Sequence, residues 1–409
     1  MRIGGITQAI SELSEVQTEE LTNRYGTHNY HPLPVSIVRT DGIYVYDSFG
    51  KEYVDCIGSY SAVAYGHLAP FIVNSLKEQL SLSALTSRAV YTPELALFLE
   101  GLSRFSGMDM ACPMNSGAEA VETAIKLARK WGYTRKGIPE DHAEIIVADG
   151  NFHGRTTTIV GFSSEQSYRK NFGPFTPGFV TVPFGDINVL KSAINKNTAA
   201  VLMEPIQAEA GILIPADGFL SAVRSLCTEQ NVLLIWDEIQ TGFGRTGKTF
   251  AWQYEDAEPD MICLGKALGG GLIPIAATAG QRHVMEVFQP GDHGSTFGGN
   301  PLACVVGLAA MAEMEESELA ERSRVHGEYF KSKLKELHHP SIAEVRGRGL
   351  LIGLEISPEL DSTALTRAFL NAGLLTKETR HHTFRFAPPL TINRKSIDVI
   401  VERVRTALG

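Results

Sequence analysis

The 409-residue chain carries 37 Lys and Arg against 46 Asp and Glu, a net charge of −9. An acidic chain without a basic run is a poor partner for nucleic acid or an anionic membrane, which excludes both classes. With 44% hydrophobic and 20% charged residues it reads as an ordinary soluble globular protein, long enough for two domains.

Met1 to Glu20 holds one arginine and four glutamates. It lacks the apolar core of a secretory signal and the arginine-rich character of a transit peptide. No apolar stretch reaches the roughly 18 residues of a membrane span, so the expected location is the cytoplasm. Ile43–Tyr46 and Glu52–Asp55 flank Asp47-Ser48-Phe49-Gly50, a hairpin signal. Ser116 and Glu119 then have capping-box spacing, and Val121, Ile125, Ala128 and Trp131 mark one face of the helix behind them. Short apolar strands follow at Ile145–Ala148, Val180–Val182, Ala199–Met203, Val232–Trp236, Ile262–Leu264 and Ile275–Thr278. Leu220, Val223, Leu226 and Cys227 recur between two of them at helical spacing. Such an alternation predicts an α/β fold with a mostly parallel central sheet covered on both faces. From Pro301 to His339 the pattern is helical, and strands return at Leu350–Ile356 and Thr383–Phe386. The division expected is a large domain over 56–300 and a smaller α+β domain built from 1–55 and 301–409.

Three turns and two strand ends carry chemistry. Gly117, at the start of the capped helix, lets a ligand approach backbone amides that attract phosphate. In Gly150-Asn151-Phe152-His153-Gly154-Arg155, Phe152 can stack on a flat ring and Arg155 can grip a carboxylate with its planar fork. Asp237 ends one apolar strand, and Lys266 follows another at Gly265-Lys266-Ala267-Leu268-Gly269. A carboxylate at the end of one buried strand and an amine at the end of another are what pyridoxal 5'-phosphate requires. The amine forms a Schiff base with its aldehyde, and the carboxylate keeps its ring nitrogen protonated. Taken singly, each feature also has a plain reading: a capped helix, a turn with a core phenylalanine, an acidic loop, a solvated lysine. Their order along the chain, closing on His293-Gly294-Ser295-Thr296, is the specific signal.

Other chemistries lack support. Cys56, Cys112, Cys227, Cys263 and Cys304 are scattered without a C-x-x-C pair, which argues for free thiols in a reducing compartment. The pairs His338-His339 and His381-His382 have no metal-site spacing, so no metal is expected.

Taken together the motifs resemble the class III aminotransferases of the fold type I pyridoxal phosphate superfamily, and within them the ornithine aminotransferases. The resemblance runs from about Tyr25 to the C-terminus. It rests on YGTHNYHPLPV, SYSAVAYGH, MNSGAEAVETAIKLARKWGY, GNFHGRT, EPIQAEAG, WDEIQTGFGRTG, LGKALGGG, GDHGSTFGGNPL and RFAPPL. It implies Lys266 as Schiff-base lysine and proton shuttle, and Asp237 as partner of the ring nitrogen. Gln240 would touch the ring hydroxyl and Phe152 would stack on the ring. Gly117 and Ala118 would give amides to the phosphate. Ser295 and Thr296 would reach the phosphate of a neighbouring subunit's cofactor, which implies a homodimer with shared sites.

For substrate, the resemblance implies Arg155 on the ornithine α-carboxylate, with Tyr30 and Tyr60 lining that pocket. Arg385 would take the α-carboxylate of L-glutamate and 2-oxoglutarate, and Glu209 would mask it at other times. The implied reaction moves the δ-amino group of L-ornithine to 2-oxoglutarate. Rivals are 4-aminobutyrate and acetylornithine aminotransferases, and more distantly a racemase or decarboxylase of the same superfamily or a silent paralogue. Two positions depart from the pattern. His153 stands where animal-type ornithine enzymes usually have tryptophan, and Ala208 precedes Glu209 where glycine is usual.

Overall fold

The computed structural model describes residues 5–380 and 382–409. Residues 1–4, part of the N-terminal stretch read above, and His381 lie outside the described residues. The first strands are β1 (Ile37–Asp41), β2 (Tyr44–Asp47) and β3 (Glu52–Asp55). The middle of the chain supplies β4 (Met110–Met114), β5 (Glu144–Ala148), β6 (Phe179–Val182), β7 (Thr198–Met203), β8 (Leu233–Asp237), β9 (Met261–Leu264) and β10 (Ala276–Gly280). The last are β11 (Ile342–Arg348), β12 (Leu351–Ile356), β13 (Leu374–Leu375), β14 (Lys377–Glu378) and β15 (Thr383–Phe386).

The central sheet has seven strands in the order β4-β10-β9-β8-β7-β5-β6. Its pairs from β9 to β6 are parallel, while β10 runs antiparallel to both β9 and β4. Every residue of β7 and β8 is buried, as a strand covered on two faces requires. The faces alternate cleanly. Ile145, Val147, Ala200, Leu202 and Ile235 pack with Ala120, Val121, Ala124 and Leu127 of the helix Gly117–Trp131. Ile146, Ala148, Val201, Met203, Leu234 and Trp236 point the other way, onto Phe219, Leu220, Val223 and Leu226 of the helix Phe219–Glu229.

The predicted capping box is present: Ser116 Oγ accepts from Glu119 N, and the Glu119 carboxylate accepts from Ser116 N at 2.7 Å. The hairpin forms between β2 and β3, where Asp47 Oδ1 accepts from the amides of Phe49 and Lys51, each at 2.9 Å. The helical stretch after Pro301 is two helices, Pro301–Glu316 and Leu319–Lys335. β4 has no apolar-run signal because Pro113 interrupts it. Its place at the sheet edge is where a strand tolerates proline.

Both ends of the chain meet in one sheet, because β13 pairs in parallel with β3. A separate antiparallel sheet, ordered β11-β12-β15-β14, carries Arg385 on β15. Among the described residues no helix is long and apolar enough to cross a membrane.

Candidate active site

The carboxyl ends of parallel strands are where open α/β sheets gather ligands. Here β7 is followed by Glu204, β8 ends in Asp237, and β9 is followed by Gly265 and Lys266. With Gly117, Ala118, Phe152, His153 and Gln240 these residues line one cavity of about 170 Å³. The backbone of Lys266 has φ +45°, a left-handed conformation that costs a non-glycine residue about 1–3 kcal/mol. Its amine has no hydrogen-bond or ion-pair partner among the described residues. Burial pushes the pKa of that amine down, against the opposing pull of Glu209 and Asp237. The shift favours the neutral amine that a base or nucleophile needs.

Asp237 is held in place. Its Oδ2 accepts from His153 Nδ1 at 2.7 Å, and its Oδ1 accepts from the Ile239 amide at 3.0 Å. His153 is buried, its contact to the carboxylate places the proton on Nδ1, and among the described residues its Nε2 has no partner. The turn carrying His153 is itself anchored, since Phe152 N donates to Glu204 Oε2 at 3.1 Å. Burial, then the nearby Asp237, pushes the Glu204 carboxyl well up, which favours its neutral form.

The residues fit pyridoxal 5'-phosphate on the chemistry of the donors. Ser116 and Glu119 satisfy each other at the helix start and leave the amides of Gly117 and Ala118 without a protein acceptor. A phosphate is the group such a terminus attracts. Gly117 is needed there: a Cβ would lie 3.0 Å from Ile239 Cδ1, and Ile239 also lines the cavity. Phosphate donors, a flat aromatic wall, a strand-end carboxylate and an unpartnered amine thus surround one space.

Beside the cavity lies a second cluster. Arg385 Nη1 is ion-paired with Glu209 Oε1 and also donates to Gln240 Oε1 at 3.0 Å. Gln240 Nε2 donates to Glu209 Oε1 at 3.2 Å. Burial pulls the Glu209 carboxyl upward, but Arg385 and Lys266 outweigh it and leave the net shift downward. Tyr60 lies 5.2 Å from the Arg385 guanidinium, on a run of left-handed residues from Gly58 to Ser61. That run is pinned at its start, where Asp55 Oδ1 accepts from the amides of Ile57 and Gly58. A Cβ at Gly58 would meet the Ala387 carbonyl oxygen at 2.4 Å, so the turn that presents Tyr60 is fitted directly to the strand that presents Arg385.

The remaining predicted residues are placed less centrally. Tyr30 is exposed and close enough to Tyr60 to affect its ionisation. Arg155 lies 3.6 Å over the ring of Tyr168 and 5.5 Å from that of Phe152. Ser295 and Thr296 are not part of this cavity. Ser295 Oγ instead accepts from Asn115 Nδ2 at 2.7 Å, and Thr296 is exposed.

Sequence reasoning passed over His153 as a partner of Asp237, and over Glu204. Glu204 was open to the strand-end argument that found Asp237, since it directly follows Ala199–Met203. The Asp237–His153 contact joins two distant turns and had no local signal. Among the described residues no group of three His, Cys, Asp or Glu side chains is placed to hold a metal ion.

The class-III aminotransferase family model matches residues 25–408. An ornithine aminotransferase of Brevibacillus brevis is 52% identical over 95% of this chain and 97% of its own length. The crystal structure of the ornithine aminotransferase from Toxoplasma gondii superposes with a TM-score of 0.97 at 37% identity, covering 100% of this chain and 98% of that one. An acetylornithine aminotransferase from Elizabethkingia anophelis superposes with a TM-score of 0.88 at 43% identity, covering 97% and 99%.

Proposed function

This chain belongs to the class-III aminotransferases, and we propose that it transfers the δ-amino group of L-ornithine to 2-oxoglutarate in a ping-pong reaction. The products are L-glutamate and glutamate 5-semialdehyde, which closes to pyrroline-5-carboxylate, a link between arginine breakdown and proline formation. The enzyme depends on pyridoxal 5'-phosphate. That group, when bound, supplies an aldehyde for the incoming amine and a ring that takes up the electron pair left by proton removal.

The chain's own residues do the rest. Gly117 and Ala118 hold the phosphate with their free amides, and Phe152 stacks on the ring. Asp237, oriented by His153, pairs with the ring nitrogen. Gln240 spends its amide on Glu209 and Arg385 and keeps a lone pair of Oε1 for the ring hydroxyl. Lys266 Nζ, unpartnered in the cavity, would take and hold the proton of the substrate δ-carbon.

The observation that carries the ω-amine reading is the Arg385–Glu209–Gln240 cluster, and Tyr30 beside Tyr60 favours ornithine, with its free α-amine, among such donors. Ornithine brings no carboxylate to its reacting end, and an unpaired buried arginine there is costly. Glu209 neutralises it until 2-oxoglutarate arrives. Arg155 holds the distal carboxylate in both halves, with Tyr30 and Tyr60 toward the ornithine α-amine. A racemase has no need of such an exchangeable pair, and a silent paralogue no need of the complete set. Relatives named ornithine aminotransferase at about half identity favour the same substrate.

We place Ser295 and Thr296 at the cofactor phosphate of a second subunit in a homodimer. The support is exposure: Phe297 is 55% exposed, and Tyr91 lies fully open. The small domain is read as 1–55 with 301–409, against a large domain over 56–300. Free cysteines favour a reducing compartment, the cytoplasm.

The test is turnover of ornithine with 2-oxoglutarate, followed by chemical trapping of pyrroline-5-carboxylate, beside 4-aminobutyrate and N-acetylornithine. A higher kcat/KM for either rival refutes ornithine as the substrate. Borohydride reduction and peptide mapping should place the pyridoxyl group on Lys266, and a label on another lysine refutes its role.

A further inference from the structure

Tyr168 is flanked by more than Arg155. The guanidinium of Arg380 lies 5.6 Å from the centre of the same ring, against 3.6 Å for Arg155. Tyr168 in turn meets Phe152 edge-on at 6.2 Å, which ties the group to the wall of the cofactor cavity. From the other side, Thr379 Oγ1 donates to the Glu209 carbonyl and accepts from the Arg380 amide, each at 2.5 Å. Arg380 is therefore fixed between the Glu209 cluster and the Phe152 wall.

Its charge is poorly spent within the protein. Arg380 Nη2 is buried and has no hydrogen-bond partner among the described residues. The nearest carboxylate oxygen, Glu165 Oε2, is 3.7 Å from Arg380 Nε, an ion pair without a hydrogen bond. The other oxygen of Glu165 is engaged by the amide and hydroxyl of Ser167. Those two bonds, and after them Arg380 and Arg155, hold the Glu165 carboxyl below its ordinary range. Arg155 likewise has no hydrogen-bond acceptor among the described residues. Two guanidiniums against one carboxylate leave a single positive charge with unused donors, which suits one further carboxylate.

The geometry points to Arg380 as a second anchor for the substrate's distal carboxylate, sharing it with Arg155 across Tyr168 while Glu165 cancels the surplus charge. The inference rests on the proposed ornithine reading for the identity of that carboxylate. It adds a specificity-determining residue that favours amines with a carboxylate at the far end over those without one.

The experiment compares ornithine with 1,4-diaminobutane, which is ornithine lacking its carboxylate. In Arg380→Met, which keeps the apolar stem, kcat/KM for ornithine should fall by about tenfold or more, the scale of a lost charge-assisted hydrogen bond. The value for 1,4-diaminobutane should stay unchanged, and Arg380→Lys should restore part of the loss. An equal fall for both amines overturns the anchor and makes Arg380 structural. An independent arm uses glutarate, a dicarboxylate that cannot react, in thermal-shift titrations. Wild type should be stabilised and Arg380→Met should need about tenfold more glutarate. Equal glutarate affinity in the two proteins, or no stabilisation of wild type, overturns the inference. Failure of wild type to turn over ornithine overturns the substrate reading instead, and the glutarate arm still decides the anchor.

Discussion

Asp237 and His153 form a buried pair, Oδ2 to Nδ1 at 2.7 Å, in which the histidine spends its proton on aiming the carboxylate. Asp237→Asn replaces the anion by an amide and should slow the ornithine half-reaction by the largest factor, about 3–5 kcal/mol in barrier. His153→Phe keeps the anion but frees it to turn, and should cost about 1.5–3 kcal/mol. Single-turnover rates give both values. A His153→Phe rate within about twofold of wild type would remove the orienting role.

Glu209 and Arg385 should fail in opposite halves of the reaction. Glu209→Ala leaves Arg385 uncompensated when ornithine is bound, so the ornithine half-reaction should slow by about tenfold or more, with the glutamate half less affected. Arg385→Ala removes the grip on the incoming dicarboxylate and should do the reverse. Stopped-flow measurement of each half separates the two, and equal losses in both halves for both variants would rule the exchange out.

Glu238 makes the apoprotein's stability fall as pH rises. It is fully buried, and burial lifts its pKa to about 7 from an ordinary 4.5, despite bonds from Thr241 Oγ1 at 2.5 Å and the Trp252 amide at 2.9 Å. A raised folded-state pKa means the proton binds the folded chain more tightly. Its contribution is therefore complete below about 4.5 and is lost as pH climbs toward 7. The change amounts to about 3 kcal/mol. Glu238→Gln should lack this dependence, so thermal scans from about pH 5 to about pH 8 should show wild type losing ground to the variant. Parallel curves would place the titration elsewhere.

Thr296 should serve the other subunit. Mixed dimers of Lys266→Ala and Thr296→Ala then contain one site with both lesions and one intact site. Random mixing should recover about a quarter of wild-type activity. Heterodimers demonstrated by mass spectrometry but inactive would place Thr296 in its own subunit's site.

Much of this was legible from local pattern. The strands β5, β7, β8 and β9 announce themselves as short apolar runs, and Asp237 and Lys266 stand where such runs stop. The capping box at Ser116 is a contact three residues long and can be read directly. β4 could not be, because Pro113 breaks its pattern and only its place at the sheet edge rescues it. His153 and Arg380 share another cause of silence. Each acts through a partner far along the chain, and no period or spacing encodes that meeting. Arg155 was read from its turn and Tyr60 from resemblance, yet their neighbours Tyr168 and Ala387 explain why they stand where they do.

The reversed strand β10 has a consequence for how the protein is made. It lies between β4 and β9, pairing Ala276 with Met114 and Ala277 with Leu264. The Gly117 turn after β4 and the lysine turn after β9 are therefore joined through a strand synthesised after both. A growing chain that has not yet delivered Ala276–Gly280 has its lysine turn but lacks the strand that bridges β9 to β4. The edge strand β4, first of the seven to be synthesised, therefore joins its sheet only through the last.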